Sequence, residues 1–135
     1  MNFKRPKNTD KYFWTRHSIG KMMQYGLSGQ RVIRVIRAPK KIIEGVAKNT
    51  IAVMQPSSVR KNSSGEDIWS QEIWAMYQIG KNKGLNIKSF GKINIKTNNY
   101  QIKIISAWRY PGVSSQKSGL PEEILSEMSE AGIEV

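Results

Sequence analysis

The sequence predicts an α+β domain in which two helices are followed by an antiparallel sheet and a short C-terminal helix. Three observations lead to this fold class. Apolar residues recur at helical spacing between Tyr12 and Arg37, and after Pro39 the apolar period changes to two within short β-branched runs. The end of the chain combines a proline, several glutamates and a second helical pattern. A period near 3.6 indicates a helix with one buried side, whereas a period of two indicates a half-buried strand.

The first helix is predicted after a basic, turn-rich arm that spans residues 1–11. At about 100° per residue, one side of this helix is apolar and the other is polar. The apolar side holds Ile19, Met22, Met23 and Gly26, and the polar side holds His17, Lys21, Gln24 and Tyr25. Gly26 stands where a left-handed residue commonly ends a helix, so we expect the helix to stop there.

The second helix is predicted over the stretch RVIRVIR, residues 31–37. As a strand, this stretch would mix arginine and aliphatic side chains on both faces. As a helix, it places Val32, Ile33, Val35 and Ile36 on one side and Arg31, Arg34 and Arg37 on the other. Ser28 is a suitable N-cap, and Pro39 ends the helix because the residue before a proline is disfavoured in the α region.

Strands are predicted over residues 41–47, 50–55, 68–79, 87–96 and 100–109. Tight turns are expected at 48–49 and 98–99, since asparagine tolerates positive φ, and residues 56–67 read as a polar loop. The last strand is apolar on both faces near its middle, which predicts a central position in the sheet. Residues 111–135 read as a linker and an acidic helix, with proline in the first turn and glutamates at the positive end of the helix dipole.

Composition bounds the function. The 135 residues carry 22 Lys and Arg against 10 Asp and Glu, a net charge of +12, and half of the acids lie after Val113. Such a field favours polyanions, above all nucleic acid, although a generally basic proteome or a location near ribosomes would also explain it. The chain has no cysteine and one histidine, so we expect no disulfide, metal site or cofactor. It shows neither a signal peptide nor a membrane span, which predicts a soluble cytoplasmic protein without a membrane partner.

The segment from His17 to Ser28, HSIGKMMQYGLS, followed by Val32, resembles the pattern H-x3-R-M-x2-R-G-[IL]-[ST]-x3-V. That pattern marks small bacterial proteins related to the RelE, ParE and BrnT toxins. The resemblance implies a RelE-like domain over residues 12–110, with two N-terminal helices packed on a curved antiparallel sheet of about four to five strands. It also implies a ribosome-dependent or free endoribonuclease that a small acidic antitoxin neutralises. Lys21 and Tyr25 stand where the family has arginines.

Metal-free RNA cleavage needs only proton transfers and cations at the phosphate, because the 2′-OH is itself the nucleophile. Our hypothesis assigns phosphate stabilisation to Lys103 and Arg109, and proton transfer to His17 or Tyr110. Each has a plainer interpretation: His17 as a structural residue of the helix start, Lys103 as a solvated residue, and the Trp108–Tyr110 end as core packing rather than a platform for bases. Trp14, Trp69 and Trp74 are expected to pack rather than to contact bases.

RNA, or the ribosome that carries it, is the expected partner. The predicted nucleic-acid-binding residues are Lys21, Arg31, Arg34, Arg37, Lys40, Lys41 and Trp108. Two functions stay open: an endoribonuclease toxin, and an RNA- or ribosome-binding module without catalysis. The acidic C-terminal segment either completes the core or folds over the basic surface and competes with RNA.

Overall fold

In a computed structural model, the described residues are 3–44, 49–81, 100–114, 126, 129 and 130. Between residues 3 and 114, the described part of the chain forms two helices and seven strands in the order β1 (Tyr12–Trp14), α1 (Arg16–Tyr25), α2 (Gly29–Arg37), β2 (Lys41–Glu44), β3 (Thr50–Ser57), β4 (Arg60–Lys61), β5 (Asp67–Ile68), β6 (Gln71–Lys81) and β7 (Tyr100–Pro111). Five of the strands form one sheet in the order β1-β7-β6-β3-β2, and β4 pairs with β5 in a second sheet. No helix among the described residues is long and apolar enough to cross a membrane.

The predicted RelE-like fold class is wrong. Strand residues outnumber helical residues in the described part, the chain enters the sheet before the first helix, and a second small sheet is present. The main sheet is mixed rather than antiparallel, because β1 runs parallel to β7 with Tyr12 opposite Ile102 and Trp14 opposite Ile104. Three residues are too few to show a period of two, so the sequence pattern did not reveal β1.

The end of α1 at Gly26 and both ends of α2 lie at the predicted signals, whereas the N-cap of α1, Thr15, was not predicted. The Thr15 and Ser28 hydroxyls accept hydrogen bonds from the backbone N–H of Ser18 and Arg31, which starts α1 and α2. Gly26 ends α1 with φ of 67°, in the left-handed region that glycine adopts without a steric penalty. The Asn49 turn is also confirmed, with φ of 60°.

The two faces of the main sheet carry separate cores. The helix-covered face packs against buried residues of both helices, and its members include Met22, Val32, Val35, Ile73 and Ile104. The second face is built around two fully buried indoles, Trp74 and Trp108, whose rings stack with centroids 6.0 Å apart. β7 lies between β1 and β6, which confirms its predicted central position.

A register shift between Met76 and Tyr77 decides which side chains of β7 reach each face. Met76 lies opposite Ser106 but Tyr77 lies opposite Ile104, so Ile105 is an extra residue in the ladder. Such a bulge interrupts the alternation of side chains. Ile104 and Ala107 therefore both belong to the helix-covered face, while Ile105 and Trp108 belong to the second face.

The predicted polar loop over residues 56–67 is also corrected. β3 continues to Ser57, and β4 and β5 pair as a short hairpin. The Asn62 side-chain oxygen accepts hydrogen bonds from the backbone N–H of Ser64 and Glu66, each at 2.9 Å, which closes the turn. The predicted strand at 87–96 and the turn at 98–99 lie outside the described residues. Of the predicted C-terminal helix, Ser126, Ser129 and Glu130 are described, and they are helical.

Candidate nucleic-acid interface

Three guanidinium groups converge at one end of the helix-covered face. Arg31 lies in the first turn of α2, and Arg34 follows three residues later on the same side of the helix. Arg109 comes from β7 and donates its Nε–H to the carbonyl of Tyr25, the last residue of α1, at 2.8 Å. We call Arg31, Arg34 and Arg109 the arginine cluster. It joins a residue predicted for catalysis to two predicted for RNA binding.

The charges of the arginine cluster influence one another. Partial burial lowers the pKa of Arg31, and the positive charges of Arg34 and Arg109 lower it further. Like charges act in this direction because each makes a further proton less favourable. In the described part of the chain the ion pairs are Lys21 with Glu130 and Lys61 with Asp67, so no described carboxylate neutralises the cluster. An anion that reached it would find uncompensated positive charge.

Gln55 of β3 holds the cluster in place. Its side-chain oxygen accepts a hydrogen bond from Arg31 Nη1 at 2.7 Å. Its Nε2 donates to the carbonyls of Arg34 and Ala38, at 3.3 and 2.7 Å, near the end of α2. The Ala38 carbonyl, just past the helix end, has no partner within the helix, whereas the Arg34 carbonyl also accepts the Ala38 N–H. One neutral amide therefore caps α2, attaches it to the sheet and orients Arg31 without cancelling its charge.

The other residues predicted to bind nucleic acid are spread over several environments. Arg37 and Lys40 are exposed at and just after the end of α2. Lys21 is buried, with its ammonium 3.4 Å from the Glu130 carboxylate and 5.1 Å from the ring centre of Tyr25. Lys41 donates to the Ser114 hydroxyl at 2.8 Å. Trp108 has no exposed surface, so its ring is not available to a base.

The four residues predicted for catalysis do not form one site. His17 is half-buried in the first turn of α1, whereas Arg109 contacts its last residue, about 12 Å further along the helix axis. Lys103 lies between Ile102 and Ile104, which point to the helix-covered face, so Lys103 points to the second face. Arg109 lies on the helix-covered face, and Tyr110 packs against the core of the second face. The structure therefore does not bring the predicted phosphate-stabilising and proton-transferring residues together at one phosphate.

Glu72 is a site residue that the sequence analysis did not identify. Its side chain is fully buried on the second face, where it accepts hydrogen bonds from Trp69 Nε1 at 3.0 Å, Trp74 Nε1 at 3.1 Å and the backbone N–H of Ser114 at 3.0 Å. Burial by itself would raise the pKa of Glu72, but the hydrogen bonds from Trp69, Ser114 and Trp74 outweigh burial and hold the pKa below its usual value. The available signal was an acid among apolar residues with a tryptophan on each side, in WSQEIW.

Trp69 and Ser114, which both donate to this carboxylate, line a cavity of about 570 Å³ that we call the tryptophan cavity. Its walls combine an indole ring, aliphatic side chains and two lysines, and the lining residues are Lys40, Lys41, Ile42, Ile43, Met54, Trp69, Val113 and Ser114. Among the described residues, no group of three or more His, Cys, Asp or Glu side chains is arranged to hold a metal ion. The polar groups of this cavity suit an anionic organic ligand rather than a metal.

Comparison of the chain with known protein families, curated proteins and solved structures finds no match. The resemblance to RelE-related toxins therefore stays a prediction from one sequence motif, and its implied fold class is the part that the structure overturns.

Proposed function

We propose that this protein binds RNA through the arginine cluster and does not cleave it. The observation that carries the proposal is the position of Arg31, Arg34 and Arg109 at one end of the helix-covered face. Arg31 binds Gln55, and Gln55 and Arg109 both lie opposite Ile73 in the sheet. No described carboxylate pairs with these guanidinium groups. Arginine suits this role because its planar guanidinium donates paired hydrogen bonds to phosphate oxygens and is weakly hydrated.

The charge of the whole chain supports the same ligand class. A net charge of +12 attracts polyanions over a distance, and phosphate contacts release condensed counterions when they form. The arginine cluster lies between two helix ends and a sheet end, with exposed Arg37 and Lys40 continuing from it along the chain. A phosphate backbone passing over α2 would meet several cations in succession. Such a role is consistent with the cytoplasmic location expected from the sequence.

The separation of Lys103, Arg109 and His17 argues against catalysis. Stabilising one phosphorane and moving its protons requires groups within hydrogen-bond reach of the same phosphate. Here Lys103 and Arg109 lie on opposite faces of the sheet, and His17 is at the far end of α1. A toxin activity, a ribosomal target and an acidic antitoxin remain predictions that the sequence motif alone supports.

The binding test compares two exposed helical arginines. Arg34→Ala removes a cluster charge, whereas Arg16→Ala removes the same charge at the opposite end of α1, and neither guanidinium supports a described hydrogen bond or ion pair. Fluorescence anisotropy with a labelled oligouridylate should show weaker binding for Arg34→Ala. The slope of log affinity against log salt should fall by about 0.7 for each phosphate that the variant no longer neutralises. Equal effects of the two substitutions would contradict a localised interface.

The absence of cleavage is tested separately. The wild-type protein is incubated with the same oligonucleotide and with a longer structured RNA, alone and with ribosomes, and the products are separated on a denaturing gel. We expect both RNAs to remain intact. Fragments that appear with the wild-type protein and disappear with the Lys103→Ala and Arg109→Ala variants would restore the endoribonuclease hypothesis.

A further inference from the structure

The tryptophan cavity holds an aromatic ring whose orientation is fixed. Trp69 Nε1 donates to Glu72 Oε2, and the backbone N–H of Ser114, which also lines the cavity, donates to the same oxygen. The carboxylate is itself fixed by Trp74 beneath it. An aromatic surface that is already oriented loses little conformational freedom on binding, so it contributes more of its contact energy to affinity. The buried charge of Glu72 thus has a clear consequence for the shape of this cavity.

One ammonium group lies over the face of that ring, and a second ammonium group lies against Ser114 in the same cavity. Lys40 Nζ lies 5.3 Å from the ring centre of Trp69, and Lys41 Nζ lies 2.8 Å from the hydroxyl of Ser114. Ile42 and Val113 also line the cavity, yet each keeps more than half of its surface exposed. The combination of an oriented indole, an apolar rim and adjacent cations suits a ligand with a flat apolar ring and a negative charge. A volume of about 570 Å³ is within the usual range for sites that take such a ligand.

The cavity is next to the arginine cluster, around the edge of the sheet. Met54 lines the cavity on the second face, and its neighbour Gln55 holds Arg31 on the helix-covered face. Lys40 lies two residues beyond Ala38, whose carbonyl Gln55 binds. The connecting residues Arg37 and Lys40 are exposed. A single-stranded RNA that extends from the arginine cluster to the tryptophan cavity would therefore pass the positive charges of Arg37 and Lys40.

We propose that the tryptophan cavity is a subsite for one unpaired base of single-stranded RNA, with the base on Trp69 and the adjoining phosphate near Lys40 and Lys41. This inference rests on the proposed RNA binding and narrows it to RNA with accessible bases. Stacking on an aromatic ring accepts every base because each presents a π face. It reverses the expectation that Trp69 only packs.

The test separates base contacts from charge by using two polyanions. Oligouridylate carries bases, and inorganic polyphosphate carries none. Trp69→Ala should weaken oligouridylate binding by about tenfold, as expected for the loss of one stacked base. Its affinity for polyphosphate should be unchanged. Trp69→Phe keeps an aromatic ring but loses the Nε1–H that Glu72 holds, so its affinity for oligouridylate should lie between those of Trp69→Ala and the wild type. Phe13→Ala, which removes an exposed aromatic side chain from β1, is the control and should affect neither ligand.

A spectroscopic readout guards against misfolding of the alanine variant. Trp14, Trp74 and Trp108 are buried, whereas Trp69 is only half-buried. Uridine monophosphate should therefore quench part of the wild-type tryptophan fluorescence, and that quenching should be absent from Trp69→Phe. Circular dichroism checks the fold of each variant.

The outcomes distinguish the subsite from the general proposal. If Trp69→Ala and Trp69→Phe leave oligouridylate binding and quenching as in the wild type, the subsite is wrong while RNA binding stands. If a folded Trp69→Ala loses affinity for polyphosphate to the same degree as for oligouridylate, no base contact exists. If the wild type binds polyphosphate but not oligouridylate, both proposals fail.

Discussion

Two buried polar groups, one on each face of the sheet, differ in how they are satisfied. On the second face, the Glu72 carboxylate receives three N–H donors and stays ionised. On the helix-covered face, the hydroxyl of Tyr12 is buried without a hydrogen-bond partner. A buried polar group costs several kcal/mol when it is unpaired and much less when its hydrogen bonds are made. Glu72 is therefore a polar anchor of the second face, although the same face also buries Trp108 Nε1 without a described hydrogen-bond partner.

This difference affects function as well as stability. The helix-covered face presents the arginine cluster because the helix ends carry the arginines to its margin. The second face presents an oriented indole because a buried charge fixes it. Substitutions on each face test the contrast, beginning with the largest expected effect.

Trp108→Ala should destabilise the protein most. The indole is fully buried and stacks on Trp74 at an interplanar angle of 6°, so its removal leaves a large cavity in the core of the second face. We expect a loss of about 3 to 5 kcal/mol in the free energy of unfolding, measured by urea denaturation. Ile104→Ala, on the helix-covered face, is the reference at about 2 to 5 kcal/mol. A Trp108 effect below about 1 kcal/mol would show that the second face contributes little packing energy.

Glu72→Gln should have the next largest effect. An amide keeps the shape but replaces one acceptor with a donor, so buried N–H groups lose a partner. We expect the free energy of unfolding at neutral pH, measured by urea denaturation, to fall by about 2 to 3 kcal/mol. The exposed Glu44→Gln is the control and should change stability little.

The pH dependence of the same variant gives an independent check. Because the folded-state pKa of Glu72 lies below its ordinary value of 4.5, its contribution is present above that value. The contribution is lost as the pH falls through the lowered pKa. Glu72→Gln should therefore reduce the fall in thermal midpoint below about pH 4.5. If the thermal midpoint of the variant fell at low pH as steeply as that of the wild type, Glu72 would not be held ionised in the folded protein.

Thr15→Ala should cost more than Ser28→Ala, although both remove a helix N-cap. The Thr15 hydroxyl accepts from the Ser18 N–H and also donates to the Ile104 carbonyl at 2.9 Å, which ties α1 to β7. The Ser28 hydroxyl accepts a hydrogen bond from the Arg31 N–H and has no other hydrogen-bond partner among the described residues. By urea denaturation, we expect the free energy of unfolding to fall by about 1 to 2 kcal/mol for Thr15→Ala and by about 1 kcal/mol for Ser28→Ala. A larger loss from Ser28→Ala would contradict the role of the link to the sheet.

Tyr12→Phe should have the smallest effect. Burial raises the pKa of Tyr12, with a smaller opposing influence from Arg37, so the phenol stays neutral. Its hydroxyl makes no hydrogen bond that the substitution would remove. We expect the thermal midpoint to stay the same or to rise slightly. A loss of more than about 1 kcal/mol in the free energy of unfolding would contradict the contrast between Tyr12 and Glu72.

Local patterns predicted α2 well and α1 less well. In α2 the aliphatic and arginine sides are cleanly separated, and Val32, Val35 and Ile36 are buried as expected. In α1, Met23 was expected inside and Lys21 outside, but Met23 is 53% exposed and Lys21 only 9%. Lys21 is accommodated because its ammonium meets Glu130, 109 positions away in the chain. A helical period cannot report such a distant partner.

The candidate site shows the same division. The positions of Arg31 and Arg34 on the open side of α2 followed from helical spacing. The convergence of Arg109 with them, and its separation from Lys103, depended on the bulge at Ile105, which shifts the alternation of β7. One extra residue in a ladder is enough to exchange the faces of every side chain beyond it.

The sequence by itself determined the charge, both helices with every end signal except the Thr15 cap, most strand positions and the central place of β7. These features depend on neighbouring residues, because capping, turn chemistry and hydrophobic period act over a few positions. Only the tertiary structure decided the parallel pairing of β1, the ionised Glu72 and the tryptophan cavity. Those features depend on hydrogen bonds and charges between groups far apart in the chain, such as Glu72 and Ser114. A buried polar group needs a hydrogen-bond partner to be stable, and the folded arrangement determines which residue provides it.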